Sequence, residues 1–150
     1  MVYIISIITF GLDRITKVLI TNEFALYESR PVIGSIMSFT YVENTGAAFS
    51  ILQGQRIFFI IMTVVMLGII FYLYYKMLEK DFWTTLSVGL IIGGALGNFY
   101  DRLLYGSVID FIDFYFFPVF NIADSALVVG TALLALIIWK TDDKSEETKN

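Results

Sequence analysis

Two aspartates lie within apolar stretches of the chain. Asp110 stands between Ile109 and Phe111, and Asp124 begins an apolar run that continues to Trp139. An ionisable side chain at membrane depth costs at least about 2.5 kcal/mol, so it is by default a candidate functional residue. Two neighbouring carboxyl groups tend to share one proton, so that one can take a proton from water while the other donates to a carbonyl oxygen. The pair is therefore a candidate acid–base dyad.

The chain must turn back between these two aspartates if their carboxylates are to meet. The 14 positions that separate them would cover about 21 Å of straight helix. Pro118 forbids such a helix, because proline lacks the N–H and clashes with the preceding turn. Asp113 is a rival member of the dyad, or else a solvated carboxylate at the membrane interface. An inert buried role for Asp110 and Asp124 also remains open.

The composition is that of a membrane protein. The chain is 57% hydrophobic and only 16% charged, outside the range of soluble globular domains. Segments 57–75, 82–100 and 119–139 have 19, 19 and 21 residues, and only Asp124 interrupts them with a charge. About 20 apolar residues span a bilayer. Segment 2–21 is a fourth span, although Asp13, Arg14 and Lys17 enter its second half. We expect an all-α membrane protein with four transmembrane helices in one domain, 1–150.

The connections between the spans carry further signals. Residues 36–41 alternate apolar and polar, which predicts a half-buried strand and a small extracytoplasmic β-like cradle. Segment 101–118 is rich in Phe and Tyr and is expected to be an interfacial loop. Gly89, Gly93 and Gly97 recur every four residues, which predicts close helix packing. The charged tail 140–150 is expected to be unstructured.

The residue types that are missing exclude several chemistries. The chain has no cysteine and no histidine, which leaves no disulfide, thiol nucleophile, Cys/His zinc site or histidine base. We therefore predict no metal and no cofactor. The net charge of −4 argues against binding to nucleic acid, since no basic stripe exists.

Four alternating spans would bring nearly all the intramembrane polar groups to one leaflet. The ends of the first and third spans and the start of the fourth carry Asp13, Lys17, Asn98, Asp101, Arg102, Asn121 and Asp124. We assign Asp13, Lys17 and Asp101 to structural support, since Asp13 and Lys17 stand at i and i+4. Lysines cluster on the opposite side, and the positive-inside rule then places both termini in the cytoplasm and the polar site toward the outer leaflet.

The polar residues fall into motifs that occur together in a known family. After Asp13 and Lys17 come NTGAAF at 44–49, GGALGNFYDR at 93–102, GSVIDF at 106–111 and FNIADS at 120–125. This order closely resembles bacterial lipoprotein signal peptidase, also called signal peptidase II. The resemblance runs from about residue 12 to about residue 134.

That resemblance implies an aspartic endopeptidase of the bacterial inner membrane. Asp110 and Asp124 would be its catalytic pair, and the residues that line its substrate site would be Asn44, Asn98, Arg102 and Asn121. The implied substrate is a prolipoprotein whose lipobox cysteine carries a diacylglyceryl group, and cleavage falls just before that cysteine. We expect a monomer that contacts membrane lipids.

A function of another class also fits intramembrane carboxylates. A small proton-coupled transporter component could use them as a proton relay. Such a pathway needs polar groups toward both leaflets, and the sequence shows none that continue toward 76–81. An assembly factor that uses the glycine steps is a third possibility.

Overall fold

A computed structural model describes residues 1–46 and 51–147, with side chains to residue 141. In this part of the chain there are four helices, α1 (Val2–Glu23), α2 (Arg56–Lys76), α3 (Phe82–Leu104) and α4 (Ile122–Glu147). Three strands, β1 (Ser29–Ile33), β2 (Met37–Asn44) and β3 (Val108–Asp113), form an antiparallel sheet in the order β1–β2–β3. Residues 47–49 of the NTGAAF motif lie outside the described residues.

The four helices cover the four segments that the sequence predicts, with different ends. Asp81 caps α3 by accepting a hydrogen bond from the Thr84 backbone N–H at 2.8 Å. The chain turns back between the two aspartates, as predicted, since Phe120 pairs with Ile112 in an antiparallel bridge, and α4 begins at Ile122. The prediction of an unstructured tail is wrong over 140–147, because α4 continues to Glu147 and no Gly or Pro follows Gly130. Residues 148–150 lie outside the described residues.

The predicted close packing at the glycines is confirmed, and it makes α3 the central helix. A Cβ atom on Gly93 would lie 2.7 Å from the carbonyl oxygen of Ser6 in α1. On the other side of α3, a Cβ atom on Gly94 would lie 2.5 Å from the carbonyl oxygen of Ala123 in α4. Both distances are to backbone atoms, which a side chain cannot displace. These glycines therefore set how closely α1 and α4 approach α3.

Three helices of the described chain are long and apolar enough to cross a membrane. They are α2, α3 and the part of α4 from Ile122 to Thr141, with mean hydropathies of 2.6, 1.3 and 2.1. Helix α1, which contains Asp13, Arg14 and Lys17, is not among them. A mostly helical membrane protein with a small sheet is thus established.

The sheet is larger than the sequence predicts. The expected strand at 36–41 is confirmed as β2. Strands β1 and β3 were not expected, and β3 replaces part of the interfacial loop expected at 101–118. Every residue of β1 is exposed, whereas the first four residues of β3 are buried. Neither strand can therefore show the alternation by which a half-buried strand is recognised.

The packing of α4 against α3 gives a direct test. We expect Gly94→Ala to destabilise the protein by about 1–3 kcal/mol, because the new methyl group overlaps backbone of α4. The matched control is Gly11→Ala, where nothing lies within 4 Å of the added Cβ. Thermal unfolding in detergent should separate the two variants, and equal unfolding temperatures would contradict this account of α3.

Candidate active site

Asp124 is held by the start of α4. Its Oδ2 accepts a hydrogen bond from the Asn121 backbone N–H at 3.2 Å. In return, the Asp124 N–H donates to Asn121 Oδ1 at 2.8 Å. This reciprocal pair across three positions has the form of a capping box, which satisfies N–H groups that the first turn leaves unpaired. The FNIADS motif thus folds locally so that one oxygen of Asp124 is fixed in place.

Asp110 is held by the sheet and by the same asparagine. The residue is 2% exposed on β3, where it pairs with Val42 of β2. Its Oδ2 accepts from Asn44 Nδ2 at 3.0 Å, and its Oδ1 accepts from Asn121 Nδ2 at 2.7 Å. Asn121 therefore contacts both aspartates. The two carboxylates that the sequence singles out are brought together at this residue.

Asn98 of α3 contacts the carboxylate of Asp124. Its Nδ2 donates to Asp124 Oδ1 at 2.7 Å, and its Oδ1 accepts from Asn121 Nδ2 at 3.1 Å. Asn98 is 6% exposed and Asn121 is fully buried. Three asparagines, from β2, α3 and the start of α4, therefore donate to the two carboxylates.

Burial changes the acidity of Asp110. Loss of solvent raises its pKa to about 7, and the negative charge of Asp124 acts in the same direction. The amide hydrogen bonds from Asn44 and Asn121 act against this shift, because they stabilise the charged form. At neutral pH the Asp110 carboxyl is thus poised between its two protonation states. That is the condition under which a carboxyl group can act as an acid or a base.

Both carboxylates open onto one cavity of about 400 Å³. Its walls come from α2, α3, α4, the end of β2, the start of β3 and the segment before α4. They are formed by Asn44, Gly46, Thr63, Met66, Ala95, Asn98, Arg102, Val108, Asp110, Phe117, Pro118, Val119, Phe120, Asp124, Leu127 and Val128. Most of these side chains are apolar, and the polar ones gather around the aspartates. Such a cavity suits an apolar ligand with a few polar groups.

Arg102 forms part of the same wall. Its NH2 donates to the carbonyl oxygen of Gly46 at 3.1 Å, and its guanidinium lies 4.7 Å from the ring centre of Phe59. The residue is partly buried. All four residues predicted to line a substrate site therefore lie at this place. Asn44, Asn98 and Arg102 line the cavity, and Asn121 lies behind Asp110.

A buried cluster of four charged side chains stands behind Asn98. Lys17 lies 2.9 Å from Asp13 and 2.7 Å from Asp101, and all three are fully buried. Asp101 also forms an ion pair with Arg14. Asp13 accepts from the Ala123 N–H at 3.1 Å, and Asp101 accepts from the Ile109 N–H at 3.3 Å.

These contacts confirm the predicted pairing of Asp13 with Lys17. The cluster also connects α1 and α3 to the residues beside each catalytic candidate, since Ala123 precedes Asp124 and Ile109 precedes Asp110. Arg14, which pairs with Asp101, is not among the supporting residues predicted from the sequence. A signal was present, because two buried carboxylates need two cations and Lys17 supplies only one.

Asp113, the rival carboxylate, lies elsewhere. Its Oδ2 accepts from Thr40 Oγ1 at 2.8 Å, and its Oδ1 accepts from the Tyr115 N–H at 2.8 Å. It is not part of the cavity wall that holds Asp110 and Asp124. Asp113 thus fastens β3 to β2 and to the following turn. Within the described residues, no three acidic side chains gather as they would around a metal ion.

Comparison with known proteins agrees with this geometry. The family model described as Signal peptidase (SPase) II matches residues 5–140. A lipoprotein signal peptidase of Halothermothrix orenii is 47% identical over 142 residues, which cover 95% of this chain and 97% of the relative. Another, of Shouchella clausii, is 45% identical over 139 residues, 92% of each chain.

A solved structure has the same fold. It is described as a bacterial membrane enzyme determined by the in meso method at 2.3 Å resolution, and it is similar to this chain with a TM-score of 0.91. The sequences are 35% identical, and the match covers 95% of this chain and 90% of the other. Family model, sequence relatives and fold agree over nearly the whole length, and on that basis the chain belongs to the signal peptidase II family.

Proposed function

We propose that Asp110 and Asp124 are the catalytic dyad with which this chain, a membrane aspartic peptidase of the signal peptidase II type, removes the signal peptide from prolipoproteins. One observation carries the assignment. Asn121 donates to both carboxylates, through its amide Nδ2 to Asp110 and through its backbone N–H to Asp124, and both open onto the same cavity. No other pair of acidic side chains in the described chain shares this arrangement at the cavity wall.

The dyad would act as an acid and a base on the two sides of the scissile carbonyl. The ionised carboxylate takes a proton from water, which attacks the carbonyl carbon. The protonated carboxyl donates to the carbonyl oxygen and stabilises the charge that develops there. Collapse of the tetrahedral intermediate then releases the amine, which receives a proton from the dyad. The amide groups of Asn44, Asn98 and Asn121 keep both carboxylates in place during these steps.

The shape of the cavity supports an apolar, membrane-borne substrate. Helix α2 contributes Thr63 and Met66 to one wall, and α4 contributes Leu127 and Val128 to another. All four belong to segments able to span a membrane, so this part of the cavity would lie at membrane depth. We propose that it receives the end of the signal peptide, with the diacylglyceryl-bearing cysteine on the far side of the cleaved bond. The acyl chains would then remain in the bilayer.

We also propose that α1 is a fourth span. The polar face of this helix points into the protein, where Ser6, Thr9, Asp13 and Lys17 are buried. Its exposed large residues are almost all apolar, namely Tyr3, Ile4, Ile7, Ile8, Leu12, Ile15, Val18 and Leu19. An exposed apolar face with buried charges is the arrangement expected for a helix surrounded by lipid.

Four spans would place both termini on one side and the site on the other. The side opposite the dyad carries Lys76, Lys80 and Lys140 at the helix ends. The positive-inside rule assigns that side to the cytoplasm. The dyad and the sheet would then face the outer leaflet of the inner membrane, where an exported prolipoprotein is exposed. A monomer suffices for this reaction, since one chain supplies both carboxylates.

The first test is the dyad itself. Asp110→Asn and Asp124→Asn should each abolish cleavage of a diacylglyceryl-modified prolipoprotein, because either change removes one half of the acid–base pair. The matched control is Asp113→Asn on the same strand, which should retain most of the activity. The loss of signal peptide is followed by mass spectrometry on purified protein. Normal turnover by either dyad variant would refute the assignment.

A second test is the dependence on pH. Burial and the charge of Asp124 raise the pKa of Asp110 to about 7, and the dyad needs one shared proton. The rate should therefore fall as the pH rises above about 7, because that proton is lost. The measurement is kcat/KM between about pH 5 and about pH 9, with a substrate that has no titrating group in that range. A rate that stays constant up to pH 9 would be incompatible with proton sharing.

A third test concerns Arg102. Its planar guanidinium can hold the Gly46 carbonyl and lie on Phe59 at the same time, which lysine cannot reproduce. We expect Arg102→Lys to lower cleavage at least about tenfold with little loss of thermal stability. Arg56→Lys is the control, since Arg56 bonds to the Leu103 carbonyl at an exposed position. If Arg102→Lys lost stability in step with activity, Arg102 would be structural only.

A further inference from the structure

Lys17 has more contacts than a structural ion pair needs. Its ammonium group is fully buried and lies 2.9 Å from Asp13 Oδ2 and 2.7 Å from Asp101 Oδ2. Its third contact is neutral, a hydrogen bond of 3.1 Å to Asn98 Oδ1. Asn98 is the residue that donates to Asp124. The side chain of Asn98 thus connects Lys17 to the Asp124 carboxylate.

The contact with Lys17 determines which way the Asn98 amide faces. An ammonium group only donates hydrogen bonds, so the atom of Asn98 that faces it must be the oxygen. Asn121 Nδ2 approaches the same oxygen at 3.1 Å and also donates. If the amide were turned over, its NH₂ group would face two donors and its oxygen would face the Asp124 carboxylate. The N–H of Asn98 is therefore directed at Asp124.

We propose that Lys17 is a positioning residue for peptide cleavage, holding the Asn98 amide toward Asp124 and placing a positive charge behind the dyad that sets the pH range of activity. This inference rests on the proposed role of Asp110 and Asp124 as the dyad. It assigns to Lys17 a function beyond the structural support expected from its pairing with Asp13.

The charges around the dyad define what Lys17 adds. Asp13 and Arg14 face this region from α1, Asp101 and Arg102 from α3, Asp110 from β3 and Asp124 from α4. Two cations and two anions make the cluster behind Asn98 neutral. Within it, Lys17 is the cation that contacts Asn98, whereas Arg14 contacts Asp101 and lies over the Tyr100 ring. The positive charge of Lys17 lowers the pKa of Asp110, against the effect of burial.

Single substitution of Lys17 would leave an unbalanced buried anion, so the test removes neutral pairs. The first variant, Asp13→Asn/Lys17→Met, removes the charge and the donor, while the asparagine can still accept from the Ala123 N–H. The second, Asp13→Asn/Lys17→Gln, removes the charge but keeps an amide donor for Asn98. The control, Arg14→Met/Asp101→Asn, removes the other ion pair of the same cluster and keeps an acceptor for the Ile109 N–H.

Each protein is assayed for kcat, KM, pH profile and thermal unfolding with the same diacylglyceryl-modified prolipoprotein. For Asp13→Asn/Lys17→Met we expect kcat to fall about tenfold or more with KM within about twofold. For Asp13→Asn/Lys17→Gln we expect kcat to remain within about threefold of the parent chain. Both should move the alkaline limb of the profile upward by less than about one pH unit, because the cation that contacts Asn98 is gone and the loss of the Asp13 anion offsets only part of its effect. The control, Arg14→Met/Asp101→Asn, should leave the alkaline limb of the pH profile where it is in the parent chain.

The outcomes separate this inference from the proposed function. If the unaltered chain cleaves and neither Lys17 variant moves the pH profile, the inference is wrong and the dyad stands. If the control moves the limb as far as the Lys17 variants do, the cluster acts only as structural support. If the Met variant does not fold, the Gln variant still decides the matter through its pH profile. If the unaltered chain does not cleave, the proposed function itself fails.

Discussion

The arrangement of this protein depends on how charge is kept inside an apolar helix bundle. A buried ion costs several kcal/mol unless an opposite charge and further hydrogen bonds compensate for it. Lys17 meets this requirement by contacting Asp13 and Asp101 at once, and Arg14 balances the second carboxylate. The backbone N–H groups of Ile109 and Ala123, at the starts of β3 and α4, donate to Asp101 and Asp13 and add the further hydrogen bonds. The elements that bear the dyad are therefore anchored to α1 and α3 by charge.

Close packing of α1 and α4 against the glycines of α3 makes these charge contacts possible. It also brings Asn98 of α3 next to Asp124. Gly94 and Gly97 let α4 approach α3 so closely that Ala123 contacts both glycines, and Gly97 also leaves room for Asp13 of α1. Asn98, one turn further along α3, can then contact Asp124 across the helix interface. Asparagine suits this place because its amide donates to a carboxylate without adding charge to the bundle. The two carboxylates thus open onto the cavity, while Asn121 and the charged residues Asp13, Lys17 and Asp101 behind it are fully buried.

Much of this arrangement can be read from the sequence, and the exceptions have physical causes. Polar residues inside apolar runs single out Asp110 and Asp124 as candidate residues, whereas the helix cap formed by Asn121 and Asp124 is seen only in the structure. Strand β3 could not be recognised because it is buried on both faces, and β1 because it is exposed throughout. The role of Arg14 depends on a partner 87 positions away, so only the charge balance of the buried residues indicates it and no local pattern does. The end of α4 beyond Trp139 is not predicted from the sequence, because a run of charged residues is also typical of disordered segments.

The proposed function requires the buried dyad to hold one proton near neutral pH. Infrared spectroscopy of the purified chain in lipid measures this directly, through the carbonyl stretch of a protonated carboxyl group. We expect one such band at neutral pH that disappears as the pH rises past about 7, in accord with the raised pKa of Asp110, and that is missing in Asp110→Asn. A spectrum with no protonated carboxyl group at neutral pH, or with a band unchanged in Asp110→Asn, would contradict it.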